Sequence, residues 1–270
     1  MAGDPKQLGP VVVSRLASQC GLDISLLERL MNLEVYSKGK AGFEGRCITK
    51  LVRNFRSHPG LLALPSQLFY DGELLPCADP QIVDSCLGFR GLTEATRGSF
   101  PFLFHGVVAS EMREGKSPSF FNPSEAVVVL GYVATLIEHG MVPANIGVIA
   151  PYKRQVFKIR DRLALKPWGQ EVKVGTTEEF QGQEKLVIII STVRSSPDYI
   201  NTDDQAGLGF LANPKRFNVA ITRAKALMIV VGNPTVLCKV ILSFSAIQKI
   251  IIDYIIILES RMEPFGGNGC

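Results

Sequence analysis

The apolar run Leu186–Val193 constrains the fold of this chain more than any other stretch. It is rich in β-branched residues and too short for a buried helix. An uninterrupted run of this kind is typical of a strand that is buried on both faces. Such strands occur in parallel sheets that helices cover on both sides, so the run predicts an α/β protein.

Strands and helices alternate along the sequence on both sides of this run. Short apolar runs predict strands at 48–55, 102–108, 146–150, 172–174 and 226–231, and helical periodicity with capping residues predicts helices at 23–31, 60–70, 122–140, 153–165 and, after Pro214, 216–225. The inward residues predicted for the helix that starts at Asn122 are Val127, Leu130, Val133 and Ile137. The alternation predicts a doubly wound parallel sheet.

Composition sets broader limits on function. The chain has 270 residues and a net charge of +4, which permits a polyanionic partner without requiring one. Its six cysteines are scattered and form no C-x-x-C pair, which argues against a zinc site and for reduced thiols in the cytosol or nucleus. No signal peptide is recognisable at the start, and no metal-ligand set stands out.

Two polar motifs flank the strand predicted at Leu186–Val193. The turn Gln181–Glu184 precedes it, and the basic segment Arg216–Lys225 follows it. Loops at the ends of strands bind ligands in open α/β sheets. A carboxamide, a carboxylate and an arginine gathered there suit a nucleotide phosphate and its ribose.

These motifs carry a resemblance to a known family. The segment Glu179–Glu184 resembles motif V, and Asn218–Lys225 resembles motif VI, of superfamily 1 helicases, most closely the RNA helicases of the Armitage/Mov-ten type. Gly3–Pro10 is similar to motif III of the same family. The resemblance implies a RecA-like P-loop NTPase fold and assigns this chain to the second of two such domains.

The resemblance also implies a division of the chain. Residues 1–22 are expected to be a remnant of the first RecA-like domain, and 23–238 to form the second. Residues 239–270 are an isoleucine-rich tail that departs from the family, and their charges argue against a membrane span. On this interpretation the chain is a fragment that lacks most of the first domain.

Six residues match positions that contact ATP in the resembled family. By resemblance, Gln7 senses the γ-phosphate, and Arg56 and Arg223 are arginine fingers. Phe55 stacks on adenine, Gly182 permits a close backbone approach, and Glu184 accepts hydrogen bonds from the ribose. Taken singly, Gln7 also fits a turn cap, either arginine fits a surface ion pair, and Phe55 fits a core position.

Five residues are candidates for contact with RNA. An aromatic ring beside two cations at a strand end suits single-stranded RNA, and threonine hydroxyls suit backbone phosphates. The candidates are Tyr152, Lys153, Arg154, Thr176 and Thr177. Each also has a plain structural alternative, a solvated helix start for the first three and a helix cap for the threonines.

The motifs of the phosphate-binding half of an ATPase are absent from the sequence. Gly115–Ser117 resembles part of a phosphate loop, but Ser110 stands where the upstream glycine is required, and no Walker B carboxylate pair follows an apolar strand. ATP and Mg²⁺ are therefore expected to bind mainly to the first RecA-like domain. This chain alone is expected to be inactive, and the alternative is a helicase-like module that binds RNA or protein without catalysis.

The resemblance also implies an activity, partners and a cellular location. It implies an ATP-dependent 5′ to 3′ RNA helicase with three partners: single-stranded RNA, a first RecA-like domain and silencing proteins of the Argonaute/Piwi type. It further implies RNA-mediated silencing in cytoplasmic ribonucleoprotein granules. The segment from 48 to Pro80 is closer to the germline, piRNA-linked branch of the group.

Overall fold

The computed structural model describes residues 1–36, 47–88, 100–115, 117, 119–195 and 213–237. Within them the strands are β1 (Arg53–Asn54), β2 (Leu75–Pro76), β3 (Phe102–Gly106), β4 (Met112–Arg113), β5 (Phe120–Phe121), β6 (Ile146–Ile149), β7 (Lys173–Gly175), β8 (Lys185–Ser191) and β9 (Ala224–Gly232). The α-helices are α1 (Arg15–Gln19), α2 (Leu26–Met31), α3 (Pro59–Phe69), α4 (Pro80–Val83), α5 (Pro123–Glu138), α6 (Lys153–Leu163) and α7 (Pro214–Ile221). Short 3₁₀ turns lie at Glu34–Tyr36, Pro143–Asn145 and Glu178–Phe180.

Five strands form a parallel sheet in the order β3-β9-β8-β6-β7. The central strand, β8, lies in the apolar run that predicts it. Val187 and Ile189 pack into the core on one face, while Ile188 and Ile190 pack on the other, and all four are buried. This two-sided burial confirms the predicted doubly wound parallel sheet, because a strand with one wet face would alternate apolar and polar residues.

Helices α5 and α6 cover one face of the sheet. Asn122 caps α5 by accepting hydrogen bonds from the amides of Ser124 and Glu125. The predicted inward face of α5 is correct at Val133 and wrong at Val127, which is 59% exposed. The predicted residues Leu130 and Ile137 are partly buried against the core, and the fully buried stripe consists of Ala126, Val129, Val133 and Leu136. The two stripes lie side by side on the helix and both are apolar, so contact with the sheet rather than periodicity selects between them.

Helices α3 and α7 cover the opposite face. Leu61 of α3 and Ala220 of α7 join the core that also holds Ile188 and Ile190. Helix α7 begins at Pro214 as predicted and ends at Ile221, four residues earlier than expected. Arg223 consequently lies in the turn between α7 and β9 rather than on the helix.

The strand predicted at 48–55 is reduced to the two residues of β1. Within the described part of the chain it pairs only with β2, in a separate two-stranded sheet, and Leu51 just before it is exposed. Its apolar residues alternate, but the central sheet gives them no neighbouring strand among the described residues. The short helix α2 is capped by Ser25, which accepts from the amide of Glu28 as its capping motif predicts.

The isoleucine-rich tail at 239–270 lies outside the described residues, as does part of the loop between β8 and α7. No helix in the described ranges is long and apolar enough to cross a membrane. The partial phosphate-loop motif has Gly115 exposed, in the turn between the short antiparallel strands β4 and β5.

Candidate functional site

Arg223 is the most constrained side chain of the site. It is only 1% exposed, and its guanidinium donates to the carbonyl of Val219 (2.8 Å), the carbonyl of Gln183 (3.2 Å) and the hydroxyl of Thr222 (2.8 Å). Burial, followed by repulsion from Arg56, lowers the pKa of Arg223 to about 10. The side chain therefore keeps its charge at neutral pH. A surface ion pair does not describe this residue.

Arg56 approaches Arg223 from the loop after β1. Its Nε donates to Glu184 and its Nη1 donates to the carbonyl of Thr222 at 3.1 Å. The loop is held by Asn54, whose side-chain oxygen accepts from the amides of Arg56 and Ser57 at 3.0 Å each. The hydroxyl of Ser57 donates to the carbonyl of Ala224 at 2.8 Å, which ties this loop to the start of β9.

Glu184 lies between two cations. Its second carboxylate oxygen is 2.7 Å from the Nζ of Lys225, while the first accepts from Arg56. Burial opposes the charged form, but hydrogen bonds from Lys225 and Arg56 outweigh it and lower the pKa of Glu184. The carboxylate thus stays ionised and holds Arg56 and Lys225 on the same side of the site.

Gln7 completes the cluster from the beginning of the chain. Its amide nitrogen donates to Asp4 at 2.8 Å, and its carbonyl oxygen lies 3.4 Å from the Nη2 of Arg223. The Gln7 side chain therefore links Asp4 to the arginine, while the turn itself is closed by the backbone amide of Gln7, which donates to the carbonyl of Asp4 at 3.2 Å. Gln7, Arg56, Glu184 and Arg223 are far apart in sequence, and the fold brings them together.

The cluster lies at the amino edge of the sheet. Glu184 immediately precedes β8, and Arg223 immediately precedes β9. The general rule for open α/β sheets places ligands at the carboxyl ends of the strands. Here the segment Gly175–Glu184 crosses from the carboxyl end of β7 to the amino end of β8, with Phe180 buried in the α3–α7 core. This segment therefore reaches both the carboxyl edge and the amino edge of the sheet.

Phe55 and Gly182 lie in the loops next to the cluster. Phe55 is 71% exposed, which excludes a core role and leaves its ring open to stacking. Gly182 has a φ of +75° and no atom within 4 Å of the position a Cβ would take. The glycine is therefore required by the backbone conformation, and the space beside it is open.

The residues expected to contact RNA lie at the opposite, carboxyl edge. Tyr152 is 3% exposed, and its ring packs edge-on against Phe120 with 5.6 Å between ring centroids. A buried ring cannot stack on a base, so the predicted stacking of Tyr152 on RNA is wrong for this conformation. The cause is the β4–β5 hairpin, which covers this strand end. Lys153 is exposed, and Arg154 pairs with Glu114 at 3.0 Å.

Thr176 and Thr177 follow β7 at the same edge and are both buried. Thr177 precedes the 3₁₀ turn, but its side chain makes no capping hydrogen bond. Its hydroxyl has no hydrogen-bond partner within the part of the chain that the structure describes. Buried hydroxyls without a partner are rare in folded proteins, which makes this hydroxyl a candidate for contact with a ligand.

A buried carboxylate, Glu125, is a feature that the sequence analysis missed. It accepts from the hydroxyl of Ser191 (2.6 Å) and the amide of Val193 (2.9 Å), and burial raises its pKa to about 7. Val193 has a φ of +72°, which is strained for a β-branched residue. Glu125 therefore holds a strained segment at the carboxyl end of β8. The only sequence signal was a glutamate in the first turn of α5, which a helix cap explains equally well.

The described residues contain no group of three or more side chains suited to a metal ion. At the arginine cluster, Glu184 is already bound to Arg56 and Lys225. The cluster fits phosphate oxygens, which arginine binds through its planar fork, and does not fit Mg²⁺, which requires oxygen ligands.

Comparison with known proteins identifies the family. A family model described as an AAA domain matches residues 22–235, well over half of the chain. The chain belongs to this family. Within it the sequence is a superfamily 1 helicase domain of the Armitage/Mov-ten type, and the family match together with the central sheet confirms the predicted RecA-like α/β fold.

Three relatives illustrate the match. RNA helicase Mov10l1 of Homo sapiens is 55% identical over 249 residues, covering 88% of this chain and 20% of the relative. The armi protein of Drosophila melanogaster is 38% identical, covering 88% of this chain and 21% of the relative. Regulator of nonsense transcripts 1 homolog of the same species is 33% identical, covering 94% of this chain and 20% of the relative. The chain thus spans about a fifth of the length of these curated relatives.

Proposed function

We propose that this domain is the second RecA-like half of an ATP-dependent RNA helicase. In this proposal ATP and Mg²⁺ bind a first RecA-like domain, and the amino edge of the present sheet closes over the γ-phosphate. The observation that carries the proposal is the convergence of Arg56 and Arg223 at one edge, both charged and both held by hydrogen bonds. Two oriented cations suit the charge that develops during phosphoryl transfer.

Each residue of the cluster has a role in this mechanism. Arg223, fixed by two backbone carbonyls, presents a guanidinium that needs little reorganisation when charge develops on the phosphate. Arg56 is more exposed and exchanges part of its contact with Glu184 for a phosphate oxygen. Glu184 then becomes available to the ribose, and the exposed ring of Phe55 is placed to stack on the base.

Single-stranded RNA is proposed to run along the carboxyl edge of the sheet. Lys153, Arg154 and the hydroxyls of Thr176 and Thr177 remain the contacts proposed there, and Tyr152 serves as the core support beneath them. The relatives named RNA helicases support RNA as the substrate. Movement in the 5′ to 3′ direction, piRNA-linked silencing with Argonaute/Piwi proteins and residence in cytoplasmic granules are proposed on resemblance alone.

The test uses a longer chain that joins this domain to a first RecA-like domain, here called the two-domain helicase. Arg56→Ala should lower its RNA-stimulated ATP hydrolysis by about 10³-fold or more, because an arginine finger contributes about 10³–10⁵ in rate. Arg53→Ala is the matched control, since Arg53 is an exposed arginine three residues earlier, on strand β1. RNA affinity should be unchanged in both variants.

The alternative is a helicase-like module that binds RNA or protein without catalysis. The ion pair between Arg56 and Glu184 favours it, because a paired arginine has less charge to offer a phosphate. A wild-type two-domain helicase that hydrolyses no ATP in the presence of RNA would support the module and exclude the proposed enzyme. Equal losses of RNA-stimulated ATP hydrolysis in Arg56→Ala and Arg53→Ala would exclude a specific role for Arg56.

A further inference from the structure

A tyrosine outside the arginine cluster connects three distant segments beneath it. Tyr70 caps the carboxyl end of α3, and its hydroxyl donates to the Oδ2 of Asp4 at 2.6 Å. The same hydroxyl accepts a hydrogen bond from the Nδ2 of Asn218, at 2.9 Å. A phenolic hydroxyl has one hydrogen to donate and lone pairs to accept with, so both bonds are compatible. Tyr70 thereby joins the start of the chain to α7.

The start of the chain is fastened on both sides of this hydroxyl. Asn218 is buried on α7 and donates its second amide hydrogen to the carbonyl of Lys6 at 3.0 Å. Asp4 accepts from the amide of Lys6 through its other oxygen, at 2.9 Å. Residues 4–6 are therefore fixed against α7 by side-chain hydrogen bonds, with Tyr70 at the centre.

This arrangement determines which way the Gln7 carboxamide points. The carboxylate of Asp4 can only accept hydrogen bonds, and its Oδ2 already binds Tyr70. It therefore takes the amide nitrogen of Gln7, at 2.8 Å. The carbonyl oxygen of Gln7 is left to face Arg223, 3.4 Å from Nη2. A rotated amide would set two oxygens against each other at Asp4 and two nitrogens against each other at Arg223.

We propose that Tyr70 is a positioning residue for the arginine site, acting through Asp4 to hold the Gln7 carboxamide against Arg223. The effect of Tyr70 on catalysis rests on the proposed function, whereas the role of Tyr70 in holding residues 4–8 against the domain does not. The hydrogen bonds of the Tyr70 hydroxyl go to Asp4 and Asn218, neither of which is proposed to contact ATP. Burial and the bond to Asp4 raise the pKa of Tyr70 to about 12, so the hydroxyl keeps its proton at neutral pH.

The first experiment measures docking in the chain itself. Tyr70→Phe removes both hydrogen bonds and keeps the ring. The matched control is Tyr132→Phe, which removes a hydroxyl 2.8 Å from the Nδ1 of His105, where burial likewise raises the tyrosine pKa to about 12. Amide hydrogen exchange of residues 4–8 should accelerate about tenfold in Tyr70→Phe, the effect of losing the bond to Asp4, which is the one of the two that holds these residues directly. Unchanged exchange, or equal acceleration in Tyr132→Phe, overturns the docking role.

The second experiment measures catalysis in the two-domain helicase. Tyr70→Phe should lower kcat for RNA-stimulated ATP hydrolysis about tenfold while KM for ATP and RNA affinity stay within about twofold. Adding Tyr70→Phe to Gln7→Ala should lower kcat no further, because Tyr70 acts through Gln7. An unchanged kcat in Tyr70→Phe, or a loss that adds fully to that of Gln7→Ala, overturns the positioning role. A wild-type enzyme without ATPase activity refutes the proposed function instead, and the exchange experiment still decides the docking.

Discussion

Replacing Arg223 should separate its part in the fold from its part in catalysis. Arg223→Ala removes a donor from the carbonyl of Val219, which keeps the hydroxyl of Thr222 at 3.2 Å, and from the carbonyl of Gln183, which is an exposed residue. A buried acceptor left unsatisfied costs about 1–3 kcal/mol. Since neither acceptor is left both buried and without a partner, we expect Arg223→Ala to lower the free energy of unfolding of the isolated chain by about 1–3 kcal/mol, the cost of one lost charged hydrogen-bond donor. Thermal or urea denaturation would measure this loss.

Arg223→Lys is the more informative variant. Lysine keeps the charge and can reach one of the two carbonyls, so about half of the lost stability should return. It cannot reproduce the planar fork, which binds two phosphate oxygens at once. RNA-stimulated ATP hydrolysis by the two-domain helicase should therefore remain at least about 10³-fold below wild type, in the range measured for loss of an arginine finger.

The two readouts must be taken on one preparation, at a temperature where each variant is folded. RNA affinity without nucleotide should stay near wild type in both, because the residues proposed to contact RNA lie at the other edge of the sheet. If Arg223→Lys restored stability and ATP hydrolysis in parallel, Arg223 would be structural and the finger assignment wrong. A joint loss of RNA affinity and hydrolysis would place Arg223 on the RNA path.

Two further predictions concern buried carboxylates. The folded-state pKa of Glu125, about 7, is above its ordinary value, so the folded state binds more protons and stability should fall by about 3 kcal/mol as pH rises from about 4.5 to 7. In pH-dependent denaturation Glu125→Gln should flatten that slope, and an unchanged slope would contradict this. Glu111→Ala should cost about 3–5 kcal/mol, because it removes the buried carboxylate that pairs with Arg194 at 3.1 Å and accepts from the amide of Ser195. Glu73→Ala, which breaks the exposed pair with Lys50, should cost less than about 1 kcal/mol, and similar losses would contradict the argument.

The central sheet could be predicted because its cause is local. The β8 sequence is apolar at every position that faces one of the two cores. The length and composition of the run were therefore sufficient to predict a strand buried on both faces. The inward face of α5 could not be predicted in the same way, since Val127 and Ala126 belong to adjacent apolar stripes. Only the position of the sheet decides between them.

The candidate site, too, could be predicted from the sequence only in part. Arg56, Gln7 and Arg223 could be named from motifs. Their meeting at one edge of the sheet could not be predicted, because it depends on the strand directions and on the segment Gly175–Glu184, which crosses between the edges. The burial of Tyr152 depends on Phe120, which lies in a hairpin that periodicity does not predict. Tyr70 carries no motif at all, and its role follows only from hydrogen bonds between segments far apart in sequence.

The central claim is that Arg56 and Arg223 stabilise the phosphoryl group in transfer. The most direct measurement compares the affinity of the two-domain helicase for ADP with that for ADP and aluminium fluoride, which mimics that group, in the presence of RNA. Wild type should bind the mimic far more tightly, since transition-state analogues exceed ground-state ligands by about 10²–10⁸-fold. Arg223→Lys should lose most of that preference while its affinity for ADP alone is unchanged. A preference retained in Arg223→Lys, or affinities for both ligands that fall together, would contradict the account.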